Sequence, residues 1–132
     1  MERSDARSDA RERALNLLYE AHAKGIDPAA TIPLQTLEPD ALTTELVLGV
    51  ARLLPDIDAR IAATSKGWDL NRMPVLDLSI MRLATYELLE RTDVPVAVVI
   101  NEAVELAKRF STDDSGRFVN GVLASIAGDV RG

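Results

Sequence analysis

From Ile100 to Leu123 the chain reads INEAVELAKRF, a short polar break, then DDSGRFVNGVL. This stretch constrains the fold more than any other. Ile100, Ala103, Val104 and Ala107 share one stripe of a helix, widened by Val99 and Leu106, while Asn101, Glu105 and Lys108 mark the wet side. The spacing predicts a helix over about Val96 to Phe110, with Glu105 and Arg109 as a favourable i,i+4 pair. Ser111-Thr112-Asp113-Asp114 matches a capping box, so a second helix starts there, with Val119, Val122, Leu123 and Ile126 as its core face. Gly121 falls inside that helix, where glycine costs about 1 kcal/mol relative to alanine. A close approach of another helix would account for it.

The rest also reads as helix. Alanine and leucine are abundant, aromatic residues make up 4%, and no stretch alternates with period two. A first helix is expected over about Ser4 to Lys24, with an apolar stripe of Ala10, Ala14, Leu17, Leu18 and Ala21 and Gly25 as its stop. Pro28 to Leu37 gives mixed signals and suits a short helix. Asp40 caps a long one reaching Thr64, with Leu46, Val50, Leu53, Leu54, Ile57 and Ile61 inward. Pro55 should kink or split it near Leu54, because proline lacks the N–H and clashes with the preceding turn. Lys66-Gly67-Trp68-Asp69 ends that segment, and Trp68 is expected to pack across a helix junction. A helix from about Met73 or Pro74 to Arg91 is apolar on most sides and is therefore central. Arg82 and Glu87 within it must be paired or reach an edge, since an unpaired buried charge is costly. The fold class is all-α.

At 132 residues the chain is one domain with room for a core. It has no cysteine and one histidine, which removes disulfides and thiolate metal sites. The longest apolar run, VPVAVVI, is far short of the ~20 residues of a membrane span. The N-terminus lacks an apolar signal core, so a cytoplasmic, soluble protein is expected. The net charge is −6, but the acidity is local. Residues 25–59 carry one basic and six acidic groups, whereas residues 60–132 carry nine and ten. Long-range steering toward RNA would be weak, and a basic partner would help.

The residues offer little for catalysis. His22 has no evident nucleophile nearby, Glu102 and Glu105 read as a solvated face, and Asp113 and Asp114 suit helix capping better than metal binding. No Gly-rich phosphate loop appears. An enzyme is not expected, nor a cofactor or metal. Binding residues are easier to find. Arg3, Arg7 and Arg11 form a drifting i,i+4 stripe that runs toward Tyr19, while Arg13 lies on another side within reach of Asp9. Guanidiniums can contact phosphates and an exposed tyrosine can stack on a base. The plainer reading is a solvated helix end paired to Asp5, Asp9 and Glu12. Arg117-Phe118 is a second cation–aromatic pair.

Four segments in order resemble the NusB family: ARERALNLLYE, LDLSIMRLATYEL with Asp93-Val94-Pro95, INEAVELAKRF and DDSGRFVNGVL. The resemblance covers nearly the whole chain and is weakest over about residues 25–45. It implies two packed helical bundles of about six to seven helices, one half over about residues 1–66 and the other over about 67–132. It further implies a transcription antitermination factor that binds boxA RNA with NusE, a small ribosomal-subunit protein, on RNA polymerase in ribosomal RNA operons. By that resemblance the RNA surface uses Arg3, Arg7, Arg11 and Tyr19, with Arg117 and Phe118. Asp77 and Asp114 complete the side facing RNA or partner. Many members have a denser basic run at the N-terminus. Here Asp5, Asp9 and Glu12 interrupt it, which implies fewer phosphate contacts and a shallower salt dependence. The alternatives are the RNA-binding domain of a ribosomal RNA methyltransferase and a self-associating homodimer that stores the protein.

Overall fold

A computed structural model of the chain describes residues 6–65 and 69–132. Among them are five α-helices, α1 (Ala6–Lys24), α2 (Ala41–Thr64), α3 (Val75–Glu90), α4 (Val96–Phe110) and α5 (Asp113–Arg131), and two 3-10 turns, Pro28–Leu34 and Leu70–Arg72. Arg3 and Trp68 lie outside the described residues, as does the boundary expected near residue 66.

Sequence signals explain most helix ends. Gly25 stops α1 at φ +66°, in the left-handed region that glycine enters without penalty. Asp40 caps α2, its carboxylate accepting from Thr43 N at 2.8 Å. Thr112 caps α5 and accepts from Ser115 N at 3.0 Å. The box expected from Ser111 to Asp114 does not form: the cap falls one residue later, at Thr112, and the third helical residue is then Ser115 instead of an acid that could reach back. Pro55 does not split α2, which runs unbroken through it. It sits on the exposed face, where water can take the carbonyl it leaves unpaired, while buried Val50, Ile57 and Ile61 hold the helix on both sides.

α3 touches all four other α-helices. Eleven of its sixteen residues are buried, and each fully buried leucine or isoleucine contributes about 1.5–3 kcal/mol. α1, α2 and the first 3-10 turn pack together, α4 and α5 pack together, and α3 joins the two groups. The two charges in its middle are paired as expected. Arg82 reaches Asp58 of α2 with two bonds, 2.8 and 2.9 Å. Glu87 takes Arg11 of α1 the same way, at 2.8 and 3.0 Å. Arg131 at the end of α5 donates to the carbonyls of Glu87, Leu88, Arg91 and Val94, closing the turn between α3 and α4.

The glycines correct one expectation. Gly121 faces open space, so no helix approaches it. The close approach is at Gly49 of α2, where a methyl group would overlap the Tyr86 ring of α3. Two local ion pairs also form differently. Arg109 reaches across to Glu12 of α1 at 3.0 Å rather than to Glu105. Arg13 donates to the carbonyls of Leu37 and Glu38 rather than to Asp9, tying the segment before α2 to α1.

Candidate nucleic-acid interface

The start of α5 is built on a chain of hydroxyls. The Ser115 hydroxyl lies 3.1 Å from the capping Thr112 hydroxyl and donates to Asp77 Oδ2 of α3 at 2.9 Å. Asp77 is 3% exposed, and its second oxygen, Oδ1, is buried with no hydrogen-bond partner among the described residues. A buried acceptor left open in this way is costly and calls for a donor. Asp77 lies beside a pocket of about 210 Å³, lined also by Pro74, Asp114, Ser115 and Phe118. Phe118 is half-buried against the core. Arg117 and Asp114, both strongly exposed, pair with each other at the rim. Asp77, Asp114 and Phe118 therefore come together at one pocket, and Arg117, paired with Asp114, turns toward the groove between α4 and α5.

α1 divides its residues differently. Arg7 is exposed and Tyr19 is 45% exposed. Arg11 is not on that surface. It is 3% exposed, held by Glu87 and flanked by Glu102 at 3.5 Å. The expected RNA contact at Arg11 is corrected: a guanidinium enclosed between α3 and α4 cannot meet a phosphate. The reason is helical drift. Successive i,i+4 steps turn by about 40°, and the step from Arg7 to Arg11 carries the side chain from solvent into the helix interface.

Sequence reasoning missed the end of α4. Arg109 lies over the Phe110 ring, 4.8 Å from its centroid, and Lys108 lines a groove of about 510 Å³ between α4 and α5 with Asn101, Asn120 and Arg117. Gly116 keeps that groove open, since a methyl group there would come within 3.3 Å of Lys108 Cγ. The run Lys108-Arg109-Phe110 carried the signal, but the expected pairing with Glu105 absorbed it.

A family model described as the NusB family matches residues 8–128. This chain belongs to the NusB family. Among relatives of the chain, the transcription antitermination protein NusB of Saccharopolyspora erythraea is 48% identical over 129 residues, covering 93% of this chain and 87% of the relative. NusB of Anaeromyxobacter dehalogenans is 48% identical over 128 residues, covering 92% and 89%. T. maritima NusB superposes with a TM-score of 0.85 at 32% identity, over 96% of this chain and 94% of that one. A chain from the crystal structure of antitermination factors NusB and NusE in complex with dsRNA gives 0.78 at 25% identity, over 93% and 96%. The all-α NusB fold is thus shown, and the α5 pocket and the exposed face of α1 are features of a NusB-family protein. Among the described residues no helix is long and apolar enough to cross a membrane.

Proposed function

We propose that this chain is a transcription antitermination factor that binds boxA-type single-stranded RNA together with NusE and so joins the antitermination complex on RNA polymerase in ribosomal RNA operons. It acts in the cytoplasm by binding and not by catalysis. The observation that carries the reading is the α5 pocket, where an aromatic wall, Phe118, stands beside the exposed carboxylate of Asp114. An unpaired base presents a π-face for Phe118 and N–H donors for Asp114. The relatives' names support the same reading.

Within it, Phe118 stacks on a base and Asp114 accepts from RNA or from NusE, while Asp77, expected at that surface, is buried and acts through Ser115, whose hydroxyl it holds at the start of α5. Arg117, Arg7 and, outside the described residues, Arg3 meet phosphates, and Tyr19 offers a second stacking surface. The test is a titration of boxA RNA and a scrambled control, with and without NusE. Tighter binding to boxA that strengthens with NusE is the expected result, and equal binding to both RNAs in both conditions would sink the proposal. Phe118→Ala is expected to weaken boxA binding by about 1–3 kcal/mol with little change in the salt slope. Arg7→Ala is expected to weaken both RNAs and reduce the salt slope by about one. A salt slope that Arg7→Ala leaves untouched would remove Arg7 from the phosphate contacts.

A further inference from the structure

We propose that Arg109 and Phe110, at the C-terminal end of α4, form a stacking platform for one unpaired nucleobase. The inference rests on the RNA-binding reading above and extends it to two residues that reading does not use.

The guanidinium of Arg109 is held by an aromatic ring and by a carboxylate. Its carbon lies 4.8 Å from the Phe110 ring centroid, a cation–π stack. Its Nη2 lies 3.0 Å from Glu12 Oε1 of α1, an ion pair. The side chain is still 53% exposed, and Phe110 is 38% exposed. A ligand thus meets a plane already fixed in orientation, and the entropy of ordering a long side chain has been lost before binding. A phosphate would compete with the Glu12 carboxylate for the N–H edge. A base needs only the plane, and bases stack on arginine as they do on aromatic rings. Arg117 differs. Among the described residues it is tied to Asp114 in its own turn, and it is 75% exposed, which suits a charge contact.

The platform also lies where the reading leaves a gap. Ser8 bonds Glu102 at 2.7 Å and Glu12 pairs with Arg109 at 3.0 Å, so side chains of α1 and α4 meet in the same order along both helices. Tyr19 is seven residues beyond Glu12. Two helical turns put it on the same face of α1, about 10 Å further along. α4 ends at Phe110, so Tyr19 stands past that end. On the other side only Ser111 and Thr112 separate Phe110 from α5, whose first turns carry Arg117 and Phe118. The end of α4 is therefore tied through Glu12 to the helix that carries Tyr19 and leads directly into the helix that carries Phe118.

The decisive comparison is Arg109→Lys against Arg109→Ala, titrated with boxA RNA at several salt concentrations beside a thermal melt. Lysine keeps the charge and the reach to Glu12 but has no plane. Both variants are expected to bind about fivefold or more weakly, with the salt slope and melting temperature near wild type. Arg109→Lys binding like wild type would make Arg109 a charge contact and overturn the platform. Phe110→Leu, which keeps apolar bulk, should show the same loss, and unchanged RNA affinity there overturns the platform too. Unchanged RNA affinity with weaker NusE capture would assign this end of α4 to the protein partner instead. If wild type shows no preference for boxA, the functional reading fails separately. A loss by Arg109→Lys on single-stranded oligouridine would then still support the platform, and no loss would overturn it.

Discussion

Removing the Glu87 carboxylate would leave the Arg11 guanidinium enclosed without its two-bond partner. Breaking one side of such a buried pair costs about 3–5 kcal/mol, whereas replacing both sides by apolar groups of similar size is often close to neutral. Glu87→Ala is therefore expected to lower the urea midpoint strongly, and Arg11→Met with Glu87→Leu to recover much of the loss. A double variant as weak as the single one would show that the surrounding charges, Glu102 at 3.5 Å from Arg11 and Arg91 at 3.6 Å from Glu87, need the pair. Arg11 also shows what a sequence conceals. Its spacing from Arg7 was plain, but Leu15 and Leu18, four and seven residues on, equally mark it as part of an inward face. Only the position of α3 decides between the two. Phe118 stood out beside Arg117 as a cation–aromatic pair, whereas Asp77 came by resemblance alone, and no local pattern pointed to its unpaired oxygen.

At the level of elements, two glycines make opposite predictions. Gly49→Ala forces a methyl group into the Tyr86 ring, so a loss of about 1–3 kcal/mol is expected from overpacking. Gly121→Ala meets open space inside a helix and should gain about 0.5–1 kcal/mol. Melting temperatures that move together in both variants would contradict this packing. Tyr86 also sets an alkaline limit. Burial raises its pKa above the usual 10.0, helped by the Glu45 carboxylate. A folded-state pKa above the unfolded one gives stability that is complete below about pH 10 and is lost as pH rises through the folded value. Tyr86→Phe should flatten that alkaline fall, which denaturation at successive pH values would detect. The helix ends were legible because Gly25, Asp40 and Thr112 act within one turn. The continuity of α2 through Pro55 was not, because packing on both sides of the proline decides it.

For the molecule as a whole, the all-round apolar pattern of α3 was enough to make it central. The sequence did not say what fixes its rotation. A helix greasy on most sides could turn or slide among four neighbours with little change in burial. Asp77, Arg82 and Glu87 are spaced by five residues, so each points about 140° from the last. Each has a different counterpart, Ser115 on α5, Asp58 on α2 and Arg11 on α1. Together they work like the wards of a key: any rotation that misplaces one strands a charge or polar group in the interior. Replacing Arg82, Asp58, Arg11 and Glu87 by apolar residues should keep the helical circular dichroism while broadening the amide NMR spectrum, and a sharp, wild-type-like spectrum would argue against this indexing role. The same key fixes the azimuth at which the Asp77 carboxylate meets the Ser115 hydroxyl, so a few angular degrees lost at one end of α3 would be felt at the other as a reshaped pocket at the start of α5.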